Sequence, residues 1–131
     1  MTAVDTNVLV RLLTGDDPKQ GAAARALFAN EAIWIARTVL LETVWVLRSL
    51  YTFDEGEIRE SLRKLLGLAN VHVEDEAAIA AALALTEHQI EFADALHLSS
   101  RPAGVPFVSF DRAFVQRTTR AGVPRISRLP S

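Results

Sequence analysis

The sequence predicts an α/β fold built on a parallel sheet. Short apolar or β-branched runs alternate with longer Ala- and Leu-rich stretches of helical character along the 131 residues. Two of the short runs are stopped by a carboxylate, Asp5 and Asp111, a residue that is poor inside strands and common where a strand gives way to a loop. Strands that alternate with helices imply parallel pairing through right-handed crossovers.

A chain of 131 residues is read as one domain, residues 1–131, large enough to bury a core without staples. Hydrophobic residues make up 50% and charged residues 23%, the balance of a globular protein in water. The absence of cysteine excludes disulfides, thiolate metal sites and Cys nucleophiles. No apolar run is long enough to span a bilayer, and no basic region followed by an apolar stretch and a cleavage site opens the chain. The expected setting is therefore cytoplasmic, with no membrane partner. The formal net charge is -2, yet Arg112, Arg117, Arg120, Arg125 and Arg128 follow one another with no acid among them. Such a stretch is either a solvated helix face and tail or a face that binds phosphate.

Thr2 to Val10 starts as a β-type run, stops at Asp5 and then resumes apolar character. Gly15-Asp16-Asp17-Pro18 breaks the pattern and restarts it as a helix, with Asp16 or Asp17 as cap and Pro18 in the first turn. The Ala-rich segment 22–29 has strong helix propensity. Ala32-Ile33-Trp34-Ile35 reads as a buried strand, and Thr38 as the N-cap of a buried helix from Val39 to Leu50. Trp34 and Trp45 are expected in the core, since both lie in apolar runs. Glu42 stands among apolar neighbours that leave little solvent-facing room, and a Glu is seldom buried without a partner; an exposed Glu on an amphipathic helix is the competing reading.

Glu55 to Leu68 reads as a surface helix with Ile58, Leu62, Leu65 and Leu66 on one face. Val71-His72-Val73 is a minimal strand, and Glu74 to Glu87 another helix. Glu91 to Leu98 opens a helix with two acids in its first turn, which the helix macrodipole favours for Glu91 and explains less well for Asp94 in its apolar setting. Phe107 to Phe110 is a strand ended by Asp111. Arg112 to Arg120 is a helix closed by Gly122, and Pro124-Arg125-Ile126 is a last edge strand.

In an open parallel sheet the strand carboxyl ends, and the starts of the helices that follow them, share one edge, where ligands bind. Asp5 and Asp111 end strands, while Glu42 and Asp94 lie in the opening turns of helices. One topological rule thus places all four carboxylates together. Two unit charges about 6 Å apart at an effective dielectric of about 20 repel by roughly 3 kcal/mol, and a divalent cation removes that conflict. An all-oxygen donor set selects hard ions, Mg²⁺ or Mn²⁺. Carboxylates, such an ion and a basic tail point to phosphodiester hydrolysis.

Val4-Asp5-Thr6-Asn7, Glu42 in the second helix, Phe92-Ala93-Asp94-Ala95 and Ser109-Phe110-Asp111 resemble, in this order, the PIN-domain signature. The run Phe-Ala-Asp-Ala-Leu-His from Phe92 resembles the VapC toxins of type II toxin–antitoxin systems. The resemblance implies a PIN-like three-layer α/β/α fold with a central parallel sheet of four to five strands flanked by helices. It also implies an endoribonuclease that hydrolyses RNA by metal-activated water. Asp5, Glu42, Asp94 and Asp111 would hold one or two Mg²⁺ or Mn²⁺ ions, with Thr6, Asn7 and Ser109 positioning carboxylates and water. A homodimer and a small VapB-type antitoxin that inhibits the enzyme are implied as partners. The chain departs from the pattern at Ala113, where many relatives carry a further acid, and has Glu91 where an acid is common.

Arg11 and Arg112 closely follow the first and last acidic motifs and are candidates for RNA phosphate, which the planar guanidinium suits. His97, one turn after Asp94, could approach substrate, whereas His72 and His88 lack ligand spacing to another His. A phosphotransfer receiver domain would need a lysine at a late strand end, but Lys19 and Lys64 are the only lysines and both lie in helical segments. A dehalogenase-like phosphatase would want Asp where Asn7 stands. The remaining alternative is a non-catalytic PIN-fold module that binds RNA or protein.

Overall fold

In the computed structural model, which describes residues 1–131, seven helices and five short strands follow one another. The chain divides into two compact units, Met1–Glu76 and Ala77–Ser131. The first unit contains β1 (Thr2–Ala3), α1 (Thr6–Thr14), α2 (Pro18–Asn30), β2 (Ile33–Ile35), α3 (Arg37–Leu50), α4 (Glu55–Leu66) and β3 (Val71–Val73). Its sheet has the order β1-β2-β3, all parallel, with Thr2 opposite Ile33 and Ile33 opposite Val71. The second contains α5 (Glu76–Thr86, entering from the first), α6 (Phe92–Ser99), β4 (Phe107–Ser109), α7 (Arg112–Arg120) and β5 (Ile126–Arg128). There β4 and β5 pair in parallel, Phe107 opposite Ile126. The α/β class and the parallel strands expected from the sequence are those of the structure, with the five strands hydrogen-bonded as three and two.

The first strand is shorter than its apolar run suggested. The resumed apolar residues 6–14 form α1, because Asp5 caps the backbone at its start and Gly15, at φ 63°, closes its end in the left-handed conformation. Leu9 and Val10 point this helix into the core. Asp17, not Asp16, caps α2 by accepting from Lys19 N and Gln20 N, with Pro18 in the first position. Thr38 is not the cap of α3: the helix already runs from Arg37, and Ala36 precedes it without a side-chain cap.

Helix α3 corrects two further expectations. Its buried stripe is Leu40, Thr43, Val44 and Leu47, the i, i+3, i+4, i+7 set that makes one face of a helix. Glu42 and Trp45 fall on the opposite face. Glu42 is therefore exposed, and Trp45 is 59% exposed rather than part of the core. A uniformly apolar run hides its phase, and here the phase was set by which side packs. In α4 the buried residues are Ile58, Leu62 and Leu65, while Leu68 lies beyond the helix end. Gly122 takes φ 85° just after the cap residue Ala121, and the last strand starts at Ile126 rather than Pro124.

Helix α4 starts on a complete capping box. Asp54 accepts from Glu57 N at 2.8 Å, and Glu57 accepts from Asp54 N at 3.1 Å. Loss of one such cap costs about 1 kcal/mol. Asp54→Ala should lower the stability measured by urea denaturation by about that amount; an unchanged midpoint would show that the box contributes nothing.

Candidate functional site

Asp5 and Asp111 occupy equivalent local positions. Each follows a strand, precedes a helix and caps it: Asp5 Oδ1 accepts from Val8 N at 3.2 Å, and Asp111 Oδ1 from Phe114 N at 3.1 Å. Asp is a strong N-cap because its side-chain oxygen satisfies an orphan helix N–H and its charge suits the positive end of the macrodipole. In both cases one carboxylate oxygen carries the cap and the second remains for another partner.

The two other acids arrive differently. Glu42 lies in the second turn of α3, the helix that follows β2, and Thr6 Oγ1 at the start of α1 donates a hydrogen bond to its Oε1. Thr6 thus ties the Glu42 carboxylate to the residue beside Asp5 within the first unit. Asp94 does lie in the first turn of α6. That helix follows α5, not a strand, so the strand-end rule does not place it.

Asp94 nevertheless has Asp111 as an electrostatic neighbour. Partial burial first, then Glu91, then Asp111 push its carboxyl above the usual aspartate range, and His97 alone opposes them. Glu91 is the N-cap residue of α6 but makes no side-chain cap bond. Asp94 and Glu91 are both exposed residues, so partial burial of the Asp94 carboxyl acts together with a field of negative charge that solvent can still reach. Ser109 Oγ accepts from Asp111 N at 3.0 Å and fixes the turn from β4 into α7.

Asn7 is exposed and, with Asp5, Arg11 and Gln20, lines a groove of about 380 Å³ between α1 and α2. Arg11 is strongly engaged: Nε donates to Gln20 Oε1 at 2.8 Å, Nη1 to Tyr51 Oη at 3.2 Å, and Nη1 pairs with Asp16 at 3.0 Å. Tyr51 Oη donates to Asp16 Oδ2 at 2.6 Å and Thr14 Oγ1 to Asp16 Oδ1 at 2.8 Å, and with Arg11 they hold that carboxyl down to about 2. This Arg11–Asp16–Tyr51 network has no local signature, because Tyr51 lies 40 residues from Arg11 and 35 from Asp16. Arg112 is exposed and has no carboxylate partner. No three His, Asp or Glu side chains in either unit form a ready-made cation cage. Within each unit the donors are all-oxygen, and Asp5 in the first and Asp111 in the second each keep one oxygen that carries no cap, the donor chemistry that suits hard divalent ions.

These placements carry two expectations. Above its own titration, the ionised Asp94 opposes folding. A carboxyl raised on folding contributes stability that is complete below its unfolded value and lost as pH rises through its folded value. At neutral pH and without metal, Asp94→Asn should be at least as stable as wild type, and Glu91→Gln should lower the Asp94 titration point seen by NMR. An unmoved titration would remove Glu91 from its causes and leave burial and Asp111. Asp111→Ala should lose about 1 kcal/mol with its cap, whereas Asp111→Asn, which keeps an acceptor, should not; equal unfolding midpoints for the two variants would dismiss the cap.

Residues 2–118 match the family described as PIN domain. No individual curated protein matches the chain.

Proposed function

The chain belongs to the PIN-domain family, and from that premise we propose that it is a metal-dependent endoribonuclease toxin of the VapC type. PIN domains are generally nucleases that use divalent metals and act on RNA or DNA. The observation that carries the reading is that the family match runs from residue 2 to residue 118 and takes in Asp5, Glu42, Asp94 and Asp111 together. It spans both compact units, which supports treating them as one functional domain. RNA as the substrate, VapB-type antitoxin inhibition, a homodimer and a cytoplasmic setting belong to the same proposal. They rest on the resemblance of Phe92 to His97 to such toxins. No helix is long and apolar enough to cross a membrane.

In this reading Asp5, Glu42, Asp94 and Asp111 hold Mg²⁺ or Mn²⁺. The ion, when bound, activates water and offsets charge on the phosphoryl oxygen. The chain's own groups prepare the ligands. The Val8 and Phe114 amides orient Asp5 and Asp111, Thr6 holds Glu42, and Ser109 fixes the backbone of Asp111. Asn7, exposed beside Asp5, can position water or a sugar hydroxyl. Arg112 can take a substrate phosphate without first leaving a carboxylate. For Arg11 to do so, it must exchange its pairing with Asp16.

Cleavage of a structured RNA with Mg²⁺ or Mn²⁺ tests the reading. Asp5→Asn and Asp94→Asn should each cut at least about 100-fold more slowly than wild type, the scale of losing one charge-stabilising group. Asn retains the acceptor at Asp5, so folding is preserved. Equal rates for all three proteins would reject the nuclease, and RNA binding without any cleavage would leave a non-catalytic binding module.

A further inference from the structure

The charges of the two units are unequal. The first carries twelve acidic and eight basic residues, the second four acids and six arginines. Three arginines of the first unit pair with carboxylates: Arg11 with Asp16, Arg37 with Glu74, and Arg48 with Glu55. From Arg112 onward none does. Arg117, Arg125 and Arg128 donate to the backbone carbonyls of Gln89, Gly104 and Phe110, which orients a guanidinium without neutralising it.

Two of these arginines share a groove. On α7, Ala113, Gln116, Arg117 and Arg120 stand at i, i+3, i+4 and i+7, one face of the helix. That face and the turn Glu87–His88–Gln89 line a polar groove of about 400 Å³, within the range of ligand sites. The Arg117 Nη1 bond to Gln89 O at 3.1 Å spans it and holds one guanidinium against its wall. Both arginines lie in the last turn of α7, where the macrodipole favours cations. The dipole explains their tolerance there but not a groove lined besides by two amides, one imidazole and a single carboxylate, that of Glu87. Ala113 leaves its α7 wall without an acid.

We propose that this groove is a phosphodiester-binding subsite for single-stranded RNA. Arg117 and Arg120 supply two positive charges against the one carboxylate of Glu87, and Gln89, Gln116 and His88 supply further hydrogen-bonding groups. The inference rests on the nuclease reading for its choice of ligand. Arg120 lies nine positions beyond Asp111, about 13 Å along a helix axis, so the subsite holds a phosphate other than the one cleaved. It anchors the strand and sets its direction.

The test is anisotropy of a labelled single-stranded RNA oligomer titrated with the full chain in EDTA, between about 50 and 200 mM salt. Each lost phosphate contact lowers the salt slope by about 0.7, worth about fivefold in affinity near 0.1 M salt. Arg117→Ala/Arg120→Ala should therefore bind about 25-fold more weakly with a slope lower by about 1.4. Arg120→Ala, which removes no internal bond, should show half of that slope change. Ala113→Glu, which adds a second carboxylate to the groove beside Glu87, should also weaken binding. Arg25→Ala, an exposed change of equal charge on the first unit, should not. Wild-type affinity and slope in the α7 variants, or the same loss from Arg25→Ala, would overturn the subsite. Cleavage of the same RNA with Mg²⁺ is read separately. Cleavage that persists while binding ignores Arg117 and Arg120 sinks the subsite alone. Binding that depends on them without cleavage sinks the nuclease alone.

Discussion

A carboxylate at the start of a helix is stabilised without any cation, and the candidate site depends on that fact. Asp5 and Asp111 each give one oxygen to an orphan backbone N–H, and the helix dipole favours the charge that remains. The same residue type can thus be stable in the empty protein and still offer an oxygen to an ion. A carboxylate held only by a metal would leave an unfilled site under strain, whereas a capping carboxylate is kept in place by the fold. The arrangement also means that these acids have a structural task whatever their chemistry, so a change that removes the acceptor confounds stability with function.

Asp94 shows the other half of the balance. It caps nothing, and partial burial, then its neighbours Glu91 and Asp111, oppose its ionisation while His97 favours it. Negative charge has been concentrated where the backbone offers less compensation. Such a concentration is a functional indication when the group also sits at a surface a ligand can reach, and Asp94 is exposed. An ion pair could have quenched it cheaply. In the same unit, however, Arg117, Arg125 and Arg128 are turned to carbonyls instead.

How much of this was legible beforehand follows from the range of each interaction. Caps are local signals, so an Asp after a strand-like run marked both Asp5 and Asp111, although as strand ends rather than helix starts. The strand pattern was legible because three apolar residues bounded by turns suffice for Ile33–Ile35 or Val71–Val73. Helix α1 was missed because Thr6 to Thr14 is short and its apolar residues follow a strand without a breaker. The exposure of Glu42 and Trp45 is not legible in the sequence, because an almost continuously apolar helix has no readable phase until it packs. Contacts across long separations left no trace at all. The bond from Thr6 to Glu42 joins residues 36 apart, and that from Arg117 to Gln89 residues 28 apart.

The segregation of charge resolves an apparent contradiction between an acidic site and a polyanionic ligand. An acidic cluster alone repels RNA, and the net charge of -2 gives no attraction at long range. Attraction has to come from a local field, and screening confines such a field to about 8 Å at physiological salt. Arginines paired with carboxylates would cancel within that distance. Arginines bonded to carbonyls do not, because a carbonyl accepts a hydrogen bond and returns no charge. The pairing pattern, more than the number of arginines, makes the second unit the one that a phosphate backbone would find.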